Sequence, residues 1–465
     1  MKHLVFASLV LMSSLAAMAQ TPPLTVSVDG RSLQAGGETF FWLGDTGWLM
    51  LSRLDRAETE HYLRTRKEQG FNVIQAMILH NLQLATLSGV PALIDGDPAR
   101  PHVTPGSDPE IAGEYDFWDH LDWVVKRSQE HGIYLALVPS WGSLADRGLL
   151  NTDNASIYGQ FLAERYRDQP NIIWLNGGDV HAMDKTETWS MLGRTIKKYD
   201  PDHLMTYHPI GRSDSSWTFH NARWLDFNMY QSGHRSYALD PDARGEDNWS
   251  YAEEDWARTP AKPTIDGEPS YENIPDGLHR ADVRRWQAAD VRRYAWWAIL
   301  SGAFGHTYGE NSVMQMFVPG RDDPAFHAEL HWDEGLQSPG AKQMRYVKDL
   351  MLSRPFAQRQ PAAGLVVDNG QRYDRIPVLR GPNYMIAYTY TGRVFTIRLG
   401  TISGDQISAS WYSPRNGEVI PIRLMKNEGE AKFDPPGDAV PGNDWVLLLD
   451  DADAEFTTSD VTGEG

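Results

Sequence analysis

The sequence predicts an α/β fold, a (β/α)8 barrel followed by a small antiparallel β-sandwich. Three observations carry this. Between Thr39 and Glu310, short apolar or β-branched runs alternate with segments of helical periodicity, the pattern of a parallel sheet wrapped by helices. Eight such runs can be counted, enough to close a barrel. From about Ala357 the pattern changes to alternating strands punctuated by Gly, Pro and Asn.

The eight runs are "FFWLGDT" from Phe40, "FNVIQAMIL" from Phe71, "IYLALVPSW" from Ile133, "NIIWLNGGD" from Asn171, "LMTYHPI" from Leu204, "LDFNMYQ" from Leu225, "PTIDGEPSY" from Pro263 and "AFGHTYGE" from Ala303. Helical segments stand between them. In "DRAETEHYLRTRKEQG", Asp55 is the N-cap and Gly70 the stop. In "RRWQAADVRRYAWWAILSG", Trp286, Trp296 and Trp297 are packing residues rather than ligand contacts. Two polar insertions, Asn81 to Glu114 and Ser232 to Lys262, follow strands two and six and belong on the face that carries barrel active sites. Ahead of the barrel, "LTVSVDGRSLQAGGETF" reads as a hairpin with turns at Asp29-Gly30 and Gly36-Gly37, a lid for the barrel bottom. The sandwich strands are expected at "AAGLVVD", "IPVLRG", "YMIAYTYT", "VFTIRL", "SASWYSP", "VIPIRL" and "WVLLLD".

The ends of the chain read differently. "MKHLVFASLVLMSSLAAMAQ" has a basic start, an apolar run shorter than the roughly 20 residues a spanning helix needs, and a small-x-small site at Ala17 to Ala19. Residues 1–19 are therefore expected to be a signal peptide cleaved after Ala19, with a mature protein starting at Gln20 that is periplasmic or secreted. Residues 20–356 make the barrel with its hairpin, 357–452 the sandwich, and 453–465 an acidic disordered tail. The chain of 465 residues has no cysteine, so its stability rests on a large apolar core rather than on disulfides. The net charge of −19 argues against nucleic acid or an anionic membrane as partner, and no later segment is apolar enough for membrane insertion. Seventeen tryptophans favour a partner with a stacking C–H face, an oligosaccharide or polysaccharide. Nothing in the pattern assigns an oligomeric state.

Catalytic groups of barrel enzymes stand at the C-terminal ends of the strands. Read in order, those ends offer Asp45 and Trp48, Gln75 and His80, Trp141, Asp179, His208, Asn228 and Tyr230, Glu268, and His306 and Tyr308. This polar and aromatic mixture suits a sugar. Glycoside hydrolysis needs two carboxylates, and Asp179 and Glu268, closing strands four and seven across the barrel mouth, are the candidate catalytic pair. Gly-Gly-Asp as a plain tight turn and Glu268 as a helix salt-bridge partner are the competing structural roles. Asp45, Gln75, His80, Trp141, His208, Asn228, Tyr230, His306 and Tyr308 are the candidate substrate-binding residues, with N-capping an equal alternative for Asp45. The histidines lack metal-ligand spacing and no phosphate-binding glycine loop follows a strand, so neither a metal nor another cofactor is expected.

Together, "FFWLGDTGW", "GFNVIQAMIL", "IIWLNGGDVH", "TIDGEPSYE" and "GAFGHTYGENSVMQM", followed by a sandwich containing "WYSPRNGE", resemble the apiosidase-like glycoside hydrolases (glycoside hydrolase family 140, formerly a domain of unknown function). The C-terminal module of those proteins carries a collagen-binding label. The resemblance spans nearly the whole mature chain. It implies a retaining exo-enzyme that releases β-linked D-apiose, a branched furanose, from side chains of the pectin rhamnogalacturonan-II. It also implies Asp179 as acid/base and Glu268 as nucleophile. An endo-acting glycanase on another plant polysaccharide, or a non-catalytic carbohydrate-binding surface protein, are the alternatives.

Overall fold

The structure, a computed structural model, describes residues 21–86, 89–239, 244–454 and 456. The expected signal segment and almost all of the acidic tail lie outside the described residues. Eight parallel strands form the barrel: β1 Trp42–Thr46, β2 Val73–Leu79, β3 Tyr134–Ser140, β4 Ile172–Gly177, β5 Met205–His208, β6 Asn228–Gln231, β7 Thr264–Asp266 and β8 Gly305–Tyr308. One six-stranded sheet runs β8-β1-β2-β3-β4-β5, and β6 pairs with β7. Single backbone bonds close the two seams: Asp226 N–H donates to Met205 O at 2.8 Å, and Phe304 N–H to Thr264 O at 3.0 Å.

The helices that cover this ring are α1 Arg56–Glu68, α2 Phe117–Glu130, α3 Thr152–Tyr166, α4 Thr186–Tyr199, the single turn α5 Ser216–Phe219, α6 Trp249–Trp256, α7 Ala288–Leu300 and α8 Pro339–Leu352. Local chemistry sets their ends. Asp55 accepts the Glu58 N–H at 2.8 Å while the Glu58 carboxylate accepts the Asp55 N–H at 2.9 Å, a reciprocal cap on α1. Among the described residues no helix is long and apolar enough to cross a membrane.

Strand side chains alternate between two cores. Trp42, Val73, Ala136, Val138, Ile173, Leu175, Met229 and Ile265 fill the barrel interior. Ile74, Ala76, Leu135, Leu137, Trp174 and Met205 face the helices. The bottom is sealed by three antiparallel strands, Leu24–Val26, Leu33–Ala35 and Glu38–Phe40, rather than by a simple hairpin. Leu24, Leu33 and Phe40 join the interior cluster beside Tyr134, Leu204 and Phe227. Substrate access is therefore from the other end.

The C-terminal domain faces a six-stranded sheet with a two-stranded one, Phe395–Arg398 paired with Glu430–Phe433. Two details depart from the expected strands. "AAGLVVD" holds a 3-10 turn, Ala363–Leu365, because Gly364 and the bonds from Asn369 pull the chain out of register; Glu430–Phe433, too short and charged to stand out, forms a strand. The domain is fastened to α7 and α8. Arg292 makes a fork of two 2.8 Å bonds to buried Asp444, Arg354 bonds Asp450 at 2.9 and 2.6 Å, and Trp296 stacks on Tyr388.

Candidate active site

Strand β4 ends in a distorted turn. Gly177 and Gly178 have φ of 91° and 120°, and Asp179 follows at φ 46°, a left-handed conformation that costs a non-glycine residue about 1 kcal/mol or more. The glycines are required because protein fills the space beside them. A Cβ on Gly177 would lie 2.5 Å from the Tyr207 ring, and one on Gly178 2.5 Å from the Trp141 ring. The turn therefore presses against β5 and Trp141 and turns the Asp179 carboxylate, which is exposed, into the barrel mouth.

Glu268 stands opposite, buried, two residues past β7. His234 Nε2 donates to its Oε1 at 3.0 Å. His208 Nε2 lies 3.1 Å from Oε2, close enough for an ion pair but off the hydrogen-bonding angle. One oxygen of Asp179, one of Glu268 and a ring nitrogen of His208 lie within 4.8 Å of one another. Three such atoms could also ligate a metal ion. The electrostatics, however, separate the two acids into the forms that acid–base chemistry uses.

Asp179 is pushed up to about 6, first by its desolvation among protein atoms and second by the negative charge of Glu268. Because its carboxylate opens on the cavity, water there tempers the first cause. Burial would raise Glu268 as well, but His208 and His234 outweigh it and bring Glu268 down to about 2. His208 in turn is raised, since the Glu268 charge overcomes its burial. Between pH 2 and 6 one carboxyl is protonated and its neighbour ionised, the division of labour that paired-carboxylate hydrolysis requires.

The cavity around them measures about 480 Å³ and is lined by Trp48, Met77, Trp141, Arg212, Gln231, Arg235, Tyr271, Leu278 and Phe326, among others. Trp48, Trp141 and His208 form an aromatic corner with ring centroids 5.4 to 5.7 Å apart. Trp48 Nε1 donates to the Tyr271 hydroxyl at 3.0 Å, which locks both rings. Gln231, the last residue of β6, lines the cavity with Asp179, and its side-chain amide favours the charged form of that carboxylate.

Of the residues expected to bind substrate, Trp141 lines this cavity, and His208 lies buried behind it, against Glu268. Gln75 points inward but deeper, donating to Gly267 O at 2.7 Å and so bracing the backbone before Glu268. The others are corrected by strand parity. Asp45 faces outward, where its Oδ2 accepts from Arg66 Nε and Tyr62 OH, both at 2.6 Å, in a fully buried ion pair with α1. It is neither a substrate ligand nor an N-cap. Asn228 and Tyr230 are also outward, Asn228 at 3.2 Å from His220 and Tyr230 stacked on Tyr251. Tyr308 faces out beside Arg66 and donates to Glu272 at 2.6 Å. His306, on the same side of β8, is fully buried with neither ring nitrogen bonded, and burial pushes it down to about 3. His80 sits half-buried beyond the cavity beside Arg53, lowered to about 4 by burial and that charge.

Sequence reasoning missed Gln231, His234 and Tyr271. Gln231 stands one residue beyond the expected Tyr230, on the opposite face of β6, and it is the fold that turns that face inward. Tyr271 stands in the quoted "DGEPSYE" three residues after Glu268. His234 carried no signal, lying in a polar loop.

A (β/α)8 barrel with two unlike carboxyls across an aromatic-walled mouth defines a glycoside hydrolase, and the comparisons agree. The family described as "Apiosidase-like, catalytic domain" matches residues 27–358, and one described as "Putative collagen-binding domain of a collagenase" matches residues 361–450. The chain belongs to the apiosidase-like family. Among solved structures it resembles a glycoside hydrolase at 42% identity, covering 94% of this chain and 98% of the other with a TM-score of 0.88. It also resembles a family 5 glycoside hydrolase from Bacteroides vulgatus at 41% identity, covering 94% and 95%, with a TM-score of 0.88. No curated protein matches the chain.

Proposed function

We propose that the protein is a retaining exo-glycosidase that releases a β-linked pentofuranose, D-apiose, from the side chains of pectic rhamnogalacturonan-II. The observation that carries this reading is the spacing and charge of one pair: Asp179 at about 6 and Glu268 at about 2, with oxygens within 4.8 Å. Oxygens this close favour the ~5 to 5.5 Å carboxyl separation of retaining enzymes over the ~6.5 to 9.5 Å that admits a water between them.

Glu268 attacks the anomeric carbon while Asp179 gives its proton to the departing glycosidic oxygen, leaving a glycosyl ester on Glu268. Water then attacks the same carbon, Asp179 takes its proton, and Glu268 leaves as carboxylate. The substrate sugar rests on the Trp48–Trp141 corner, and the loops after β6, β7 and β8 close around it through Arg235, Leu278 and Phe326. A cavity within the ~300 to 1,000 Å³ range of small-ligand sites supports exo-action on a terminal residue. The basic, apolar and small-x-small leader supports export before cleavage after Ala19.

The test is turnover of 4-nitrophenyl β-D-apiofuranoside and of rhamnogalacturonan-II oligosaccharides, followed by NMR. Free monosaccharide with retained β-configuration as the first product supports the reading. Inverted product, or release of longer oligosaccharides, overturns it.

A further inference from the structure

The C-terminal sandwich touches more than the outer helices. Its turn around Arg372–Asp374 reaches the loop that follows β6, the loop that delivers His234 to Glu268. Tyr373 donates its hydroxyl to Glu246 Oε1, a buried carboxylate on that loop. The other oxygen of Glu246 accepts the backbone N–H of Tyr237, three residues from His234. Arg372 lies 4.8 Å over the Tyr237 ring, and Tyr237 and Tyr373 meet edge to face at 5.3 Å. Arg375 completes the grip, bonding Glu253 at 2.6 Å and lying 3.4 Å over Trp249 in α6.

On the barrel side, Arg293 of α7 contributes only two long bonds to Glu246, both 3.2 Å. Near His234 the loop is tied to the β7 loop: Gly277 N–H donates to His234 O at 2.7 Å, and Ser236 N–H to Asp276 at 2.8 Å. Gly233 is tied there too, its N–H donating to Glu268 O at 3.1 Å and its carbonyl accepting from Ser270 Oγ at 2.7 Å, so the β7 loop holds one side of His234 while the sandwich holds the chain that follows it, through Tyr237 and Glu246.

We propose that the sandwich is a positioning element of the active site: Tyr373, supported by Arg372 and Arg375, holds the loop after β6 so that His234 keeps its hydrogen bond to Glu268. This rests on Glu268 acting as the nucleophile. The collagen-binding likeness of the domain does not account for these contacts, which face the catalytic loop and not solvent. Loosening the strut withdraws His234, and the Glu268 carboxylate loses one of the two partners that keep it ionised. Its pKa then rises, and activity at the acid end is lost.

Three variants of the full mature chain test this. Tyr373→Phe removes only the hydroxyl, Tyr373→Ala removes the ring as well, and Arg354→Ala cuts the domain interface away from this loop. The readouts are kcat and KM against pH on 4-nitrophenyl β-D-apiofuranoside, the melting temperature, and the imidazole ¹⁵N titration of His234, assigned against His234→Gln. Tyr373→Phe is expected to move the acidic limb of kcat/KM upward by about half a pH unit and Tyr373→Ala by about one. Both should lower kcat several-fold with little change in KM and alter the His234 titration. Arg354→Ala is expected to lower the melting temperature with the limb unmoved. Folded Tyr373→Phe with an unchanged limb and unchanged His234 titration overturns the proposal, as does an equal limb shift in Arg354→Ala. If the wild type leaves the aryl glycoside intact, the proposed reaction fails, while the His234 titration still decides the strut.

Discussion

Removing the Glu268 charge should make Asp179 a stronger acid. Asp179 is held at about 6 by desolvation and, second, by Glu268, so wild-type kcat/KM should fall as pH rises through about 6, where the proton donor is lost. The neighbouring charge disfavours the Asp179 carboxylate; deleting it lowers the pKa and moves that limb to more acid pH. Two unit charges at 4.8 Å, the outer bound on the separation of the nearest oxygens, interact by about 3.5 kcal/mol at an effective dielectric of 20 and about 0.9 kcal/mol in bulk water. Asp179 opens on the cavity, so the lower end governs, and the expected shift is about 0.6 pH unit at most. His208, raised by Glu268, reverts toward neutrality without it, and the loss of its positive charge, which lowers Asp179, offsets part of the shift. The assay is azide rescue of Glu268→Ala on an activated aryl glycoside, in which Asp179 still serves the leaving group while azide replaces the nucleophile. The rescued reaction should show its basic limb about half a pH unit below the wild-type one and yield the glycosyl azide of inverted configuration; Asp179→Ala with azide should yield the retained one. A basic limb that stays in place or moves up would refute the coupling. Retained azide from Glu268→Ala would mean the two roles are exchanged.

Asp45→Ala should cost about 3 to 5 kcal/mol, measured by denaturant unfolding, because it strands buried Arg66, with KM of the folded fraction unchanged; a selective rise in KM would return Asp45 to the substrate site. Gly178→Ala should lose roughly 1 to 3 kcal/mol or more, since the new methyl meets Trp141 at φ 120°, and kcat should fall with it as Asp179 shifts. Full activity and stability in that variant would show that the turn relaxes freely. Arg292→Ala leaves Asp444 buried without its fork and should lower the melting temperature of the whole chain in a single calorimetric transition. Two separate transitions would mean the sandwich and barrel unfold independently.

The barrel was legible in the sequence because each of its eight strands is a short apolar run bounded by helical periodicity, and local chemistry suffices to stop and start them. The placement of Asp179 and Glu268 together at the barrel mouth was legible too. Each follows a strand end where glycine lets the chain turn, and a strand end in a barrel has only one mouth to face. Parity was not legible: strands covered on both sides, such as the run "IIWL", are apolar at every position, so the sequence carries no mark of which residues point inward. Only the curvature of the closed sheet turns Gln231 and His208 toward the Asp179–Glu268 pair and Asp45, Asn228, Tyr230, His306 and Tyr308 out against the helices. The charge on Glu268 likewise depends on His234, and the loop carrying His234 on Tyr373, about 140 residues further along the chain. Such contacts join residues whose own neighbours in sequence say nothing of each other, and tertiary packing alone brings them together.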